Sequence, residues 1–221
     1  MHLRGDTAFD SKWRGAVMRR LLSLAVGVFA LLAPCASRAQ DAPPAKKPTP
    51  KVGDVFEYAD KFATVKCQRW EVKQIDKDGF LIVQCKDNFA YLSVANDYNL
   101  TKIVTEDGEI LAEFKPYLPA IAFPFKLGKK WGGKYAGYTA DDGNRWVGND
   151  SCEVTAYETI KLVAGDFPAY RIECVDNWEL GNMSGHSYST SWYSPKAQAV
   201  VKVSNQRFPK WNMELISYST K

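Results

Sequence analysis

Hydrophobic and polar positions alternate along this chain in short runs, and polar turns containing glycine break them. Phe62–Ile75 and Phe80–Cys85 flank Asp76-Lys77-Asp78-Gly79. Leu100–Thr105 and Ile110–Phe114 flank Glu106-Asp107-Gly108-Glu109, and Tyr135–Thr139 and Arg145–Val147 flank Asp141-Asp142-Gly143-Asn144. Each set is a hairpin signature, with glycine where a tight turn needs positive φ. Val154–Leu162 and Ala169–Val175 form a fourth hairpin around Ala164-Gly165-Asp166, and His186–Tyr193, Ala199–Ser204 and Met213–Ser219 supply the last strands. No window of ten or more residues keeps a 3.6-residue apolar stripe. The pattern predicts an all-β domain of about ten or eleven strands, an antiparallel meander closing into a barrel, half-barrel or sandwich. Short strands with charges on both faces argue against an outer-membrane barrel.

The first 51 residues break this pattern. Arg19 and Arg20 precede the apolar run Leu21–Ala33, and Ser37-Arg38-Ala39 supplies a small-residue stop. That order is a secretory signal, with cleavage expected after Ala39 and Met18 as a possible true start. The apolar run is about 13 residues, too short for a transmembrane anchor across a ~30 Å hydrocarbon core. Cys35 invites lipidation, but Pro34 before it fits a lipidation site poorly. Residues 40–51 hold four prolines and three lysines, the composition of an extended tether. Residues 52–221 then read as a single β-rich domain, large enough to bury roughly 70% of its unfolded surface. Localisation is expected to be periplasmic or secreted.

Charge changes meaning once the leader is set aside. Of 29 basic and 25 acidic residues, six and two lie in 1–39, leaving 23 of each. The net positive charge belongs to the targeting segment and gives no reason to expect nucleic acid as a partner. The cluster Lys126, Lys129 and Lys130 reads as a solvated face.

Four cysteines remain, Cys67, Cys85, Cys152 and Cys174, and an even number in an exported chain predicts two disulfides. A zinc site competes poorly: the 17, 66 and 21 intervening residues contain no C-x-x-C pair, and His186 is the one histidine left. Sequential pairing, Cys67–Cys85 and Cys152–Cys174, closes the shortest loops across two hairpins. Register counting from a turn at Ala164–Gly165 misses by about three positions, which a bulge or a longer turn would repair.

Three motifs carry a family resemblance. Tyr157–Ile172, with its Glu158-led strand running into Ala164-Gly165-Asp166-Phe167, is similar to a hairpin of an uncharacterised family of exported bacterial proteins. Trp192-Tyr193-Ser194-Pro195 resembles that family's Trp-Tyr-Ala-Pro strand start. Phe123-Pro124, Gly128 and Trp131 match its Phe-Pro-x-x-x-Gly-x-x-Trp element. The resemblance covers about Phe123–Lys202 and implies a β-rich periplasmic domain of unknown function, with no catalytic residue and no cofactor to carry over.

The residues themselves offer little catalysis. Gly181-Asn182-Met183-Ser184-Gly185 beside His186 has two residues between glycine and serine where a nucleophile elbow needs one. Asp76-Lys77-Asp78-Gly79 lacks the later ligands of a calcium loop, so no metal is expected. Paired carboxylates remain open, because any two acids could meet in space. Aromatics are the positive signal: Trp70, Trp131, Trp146, Trp178, Trp192 and Trp211, with Tyr188 and Tyr193 near His186. Trp178, His186, Trp192 and Tyr193 are the candidate binding residues. The leading expectation is a non-enzymatic envelope protein that binds a hydrophobic small molecule or another envelope protein. A hydrolase using paired carboxylates or His186, and a structural partner of an envelope complex, are the alternatives.

Overall fold

The structure is a computed structural model and describes residues 42–59, 69–77, 79–83, 88–93, 97–206 and 212–221. The expected leader and cleavage site, and Cys67 and Cys85, lie outside these residues. The strands are β1 (Val55–Ala59), β2 (Arg69–Ile75), β3 (Phe80–Val83), β4 (Asn88–Ser93), β5 (Asn99–Thr105) and β6 (Ile110–Lys115). They continue as β7 (Lys130–Thr139), β8 (Arg145–Leu162), β9 (Gly165–Leu180), β10 (Met183–Ser194), β11 (Ala199–Asn205) and β12 (Met213–Ser219). Each strand pairs antiparallel with its neighbours in sequence, the ordering of a meander. β1 also pairs β12, through Val55–Ser219 to Ala59–Glu214, as well as β2.

The acidic turns serve the hairpins directly. Asp142 Oδ1 accepts from Thr139 Oγ1 at 2.6 Å and Asn144 N at 3.1 Å, and Asp76 Oδ1 accepts from Gly79 N at 3.0 Å. These carboxylates hold backbone turns together.

The largest departure from the expected pattern is β8. Two strands were expected, Arg145–Val147 and Val154–Leu162, and one 18-residue strand runs through both. The polar stretch Gly148–Cys152 hides the alternation, because its buried positions are Gly148, Asp150 and Cys152. A glycine and an aspartate read as loop, yet they point to the same face as Trp146 and Val154.

β8 and β9 turn through Val163–Ala164, with Leu162 opposite Gly165. That is one residue earlier than the expected turn and shifts the register by two. A bulge at Thr155, between the pairs Val154–Ile172 and Ala156–Arg171, supplies the third position. Cys152 and Cys174 therefore stand directly opposite, with Cα atoms 4.1 Å apart, and are disulfide-bonded. Replacing both by serine should cost roughly 3 kcal/mol, the loop-closure value for a loop of this length. Urea midpoints of the oxidised wild type and the double variant measure it.

Residues 42–51, expected as a free tether, pack onto the sheet. Ala45 is buried and pairs with Phe125 through both backbone bonds, at 2.8 and 3.0 Å. Tyr170 donates its hydroxyl to Pro43 O, and Tyr98 donates to Pro48 O. Composition misled here because prolines that cannot join a ladder can still offer carbonyls to side chains.

A second irregular segment, 116–125, lies beside this strap. Buried Asn99 clamps it with Nδ2 to Ile121 O and Oδ1 to Ile121 N, both at 2.8 Å. Trp131 Nε1 donates to Pro119 O at 3.1 Å, and Lys129 Nζ donates to Ala122 O at 2.6 Å. Phe125, fully buried, packs with Cys152, Val154, Tyr170, Ile172 and Tyr193 as the main core. A second core gathers Tyr58, Phe167, Ala197, Val201 and Leu215 around the hairpin tip.

Candidate functional site

A cavity of about 170 Å³ opens between the strap, β1, β2 and the start of β11. Phe56, Tyr58, Trp70, Val72, Phe123, Tyr193 and Val200 form its walls, and Pro48–Lys51 of the strap closes one side. The alternation of β1 and β2 explains the walls: Phe56 and Tyr58, Trp70 and Val72 are each two residues apart and share a face. Tyr58 donates to Val200 O at 2.9 Å, so its hydroxyl is spent on the cavity's own frame. The polar lining comes from Thr49, Lys51, Asp54, Gln198, Thr220 and Lys221. The Asp54 carboxylate accepts from Lys51 N at 2.7 Å and Lys221 N at 2.9 Å.

Of the four candidate residues, only Tyr193 lines this cavity. It faces Tyr170 on β9 and Val200 on β11, and it is buried. Trp192 points to the opposite face, where it is half-buried against the second core, its Nε1 donates to Glu158 Oε1 at 2.8 Å and Lys202 Nζ lies 5.2 Å from its ring centroid. His186, six positions before Trp192 on the same strand, is exposed against Tyr188, with ring centroids 5.1 Å apart. Trp178 sits opposite Gly185, eight positions along β10 from Tyr193, roughly 26 Å away at ~3.3 Å per residue. The register thus separates the four residues by face and by distance.

A polar cluster that composition did not single out sits on the inner face of β8 and β9. Asp150 stands directly opposite Asp176, two cross-strand pairs from the disulfide and next to it on the same face. Asp150 is 6% exposed, and burial pushes its carboxyl up to about 7, with the charge of Asp176 adding to the rise and the Ser151 N–H opposing it. Asp176 is also raised by burial, less so because Tyr135 donates to its Oδ2 at 2.7 Å, while Oδ1 has no partner among the described residues. Tyr135 reaches from β7 across β8 because Gly148 lies between: a Cβ there would sit 2.3 Å from the tyrosine ring. Asp150, Cys152 and Cys174 come within metal-ligand range of one another, but both sulfurs are committed to the disulfide. The sequence did carry a signal for this pair. Asp150 is two residues before Cys152 and Asp176 two after Cys174, so the cysteine pairing alone puts the carboxyls opposite each other.

No protein-family model matches the chain, and no curated protein matches it. Solved structures do resemble its fold. One is a candidate lipoprotein from Parabacteroides distasonis, at 12% identity and TM-score 0.45, covering 80% of this chain and 100% of that one. Another is a candidate exported protein with a YmcC-like fold from Bacteroides fragilis, at 14% identity, TM-score 0.45 and the same coverage. A third is the hypothetical lipoprotein YmcC from Escherichia coli, at 11% identity and TM-score 0.45, covering 76% of this chain and 84% of that one. The chain is therefore similar in structure to exported proteins and lipoproteins whose descriptions state no function.

Proposed function

We propose that this is an exported β-domain of the bacterial cell envelope that binds a small apolar ligand in the cavity beneath the strap. The observation that carries the reading is the cavity itself, with aromatic and aliphatic walls and a polar fringe. Concave apolar sites with few polar groups are the usual form of small-molecule sites. The leader-like Arg19–Ala39 and the Cys152–Cys174 disulfide support an oxidising compartment. Pairing of β1 with both β12 and β2 supports a sheet wrapped into a barrel, which would hold the cavity walls in place.

The volume limits the ligand. An engineered cavity of about 150 Å³ in another protein holds benzene, so one ring or a short branched chain fits. Neither Asp150 nor Asp176 lines the cavity. A hydrolytic reading through that pair would need a substrate path to a carboxyl that is 6% exposed, which is why binding is preferred.

Toluene titration followed by NMR tests the proposal. Saturable shifts are expected at Trp70 and Tyr193 in the wild type. Val200→Phe, which adds a ring to the cavity wall, should weaken toluene binding at least tenfold while the protein stays folded. Absence of saturable toluene binding to the wild type, or unchanged affinity in a folded Val200→Phe protein, would overturn it.

A further inference from the structure

We infer that the ligand is a small uncharged molecule with an apolar ring and one hydrogen-bonding oxygen, and that the Tyr193 hydroxyl recognises that oxygen. This rests on the binding role proposed above for the cavity and narrows it to a chemical class.

Among the described residues four tyrosines are buried: Tyr58, Tyr135, Tyr170 and Tyr193. Three spend their hydroxyls on the protein, Tyr58 on Val200 O, Tyr135 on Asp176 Oδ2 and Tyr170 on Pro43 O. Tyr193 is 3% exposed as a residue and lines the cavity; its hydroxyl bonds no described residue, and the oxygen keeps some accessible surface there. A hydroxyl that opens on an apolar cavity and bonds no protein group adds nothing to packing that a phenylalanine would not, and it is placed to bond a ligand. The edge-on contacts of its ring, 5.1 Å to Phe123 and 5.2 Å to Phe125, need no hydroxyl at all. The oxygen is left available to a ligand.

The chemical class follows from the surroundings. Burial drives the Tyr193 phenol far above its ordinary value, so it stays neutral and offers one donor and acceptor lone pairs. The lysines of the lining, Lys51 and Lys221, are exposed, and the Asp54 carboxylate is occupied by two backbone donors. No charge is thereby placed to meet an ionic group in the apolar part of the cavity. The rest of the wall is carbon, which fits a ring.

The experiment compares p-cresol with toluene, which differ by one hydroxyl, on the disulfide-bonded exported protein. Wild type should bind p-cresol about tenfold more tightly than toluene once their water solubilities are taken into account, the gain expected from one added hydrogen bond. Tyr193→Phe should keep toluene affinity and lose that preference to within twofold. As a measurement free of the variant's folding, 3-fluorotyrosine at position 193 should show a fluorine shift with p-cresol distinct from that with toluene. A folded Tyr193→Phe protein that still prefers p-cresol, or identical fluorine shifts, would overturn the inference and leave cavity binding standing. Failure of both compounds to bind wild type would instead remove the binding role on which it rests.

Discussion

Acidifying the medium from pH 8 to pH 5 is expected to stabilise the Asp150–Asp176 region, the reverse of the usual behaviour of paired carboxylates. Asp150 has an ordinary value of 3.8 and is pushed up to about 7 in the folded protein, first by burial and then by the charge of Asp176. Between those values the folded chain holds a proton that the unfolded chain has released. Stability from this group is therefore present in full below about pH 4 and is lost as the pH rises to about 7. At 1.36 kcal/mol per unit, the swing is on the order of 4 kcal/mol. Asp176 adds in the same direction, because burial also raises it. The charged and titratable groups facing the pair are each other and Tyr135 on β7, and no cation is paired with either carboxyl among the described residues.

Asp150→Asn isolates the effect. An amide keeps the shape, carries no charge at any pH and can donate towards the unpartnered Asp176 Oδ1. The variant should be more stable than wild type by about 4 kcal/mol at pH 8 and by less than half of that at pH 5. Urea midpoints at both pH values provide the comparison. A constant difference between variant and wild type across that range would mean that Asp150 does not hold a proton in the folded state.

Much of the strand pattern was legible in the sequence, and the reasons are local. β5, β6, β11 and β12 keep a residue-by-residue alternation between clear turn signals, so their limits came out within a residue or so. β8 did not, because the inner positions Gly148 and Asp150 are not hydrophobic, although they face the same side as Cys152. β1, at Val55–Ala59, was hidden beside a proline-rich strap whose attachment depends on carbonyls rather than on side chains. The resemblance motifs turn out to contain mostly packing residues. Phe123, Phe125 and Trp131 form ring contacts in the main core, and Phe167 is fully buried at the other. Such motifs speak of a fold more than of a site. For the site, composition pointed to aromatic residues but could not supply register. One bulge at Thr155 and the facing of β10 decide that Tyr193 turns to the cavity while Trp192 and His186 turn away. Long-range placement of the strap and of segment 116–125 has no period in sequence, and it is these two segments that bring Pro48 and Phe123 to the cavity.

Truncating Phe125 to alanine is expected to be among the most damaging single changes, because one residue joins the strap, segment 116–125 and the sheet. Its ring is fully buried, with centroids 4.4 Å from Phe123, 5.2 Å from Tyr193, 5.8 Å from Trp131 and 6.2 Å from Tyr170. Removing it forfeits the transfer free energy of the ring and leaves a hole whose lining belongs to rigid strands. Such losses run at about 3–5 kcal/mol. The backbone of the same residue pairs with Ala45, so looser packing there should release the strap as well. Two measurements separate these effects. A urea midpoint gives the global loss, and limited trypsin digestion after exposed Lys46 reports strap release. Wild type should resist cleavage at Lys46 under native conditions, and Phe125→Ala should be cut much faster. Phe125→Leu, which keeps most of the volume, should lose less stability and protect the strap better. Cavity binding should weaken in step with strap release, since Pro48–Lys51 closes one side of the cavity while Phe123 and Tyr193 lean on the Phe125 ring. A loss below 1 kcal/mol with Lys46 still protected would mean that Phe125 is not the joint between strap and sheet.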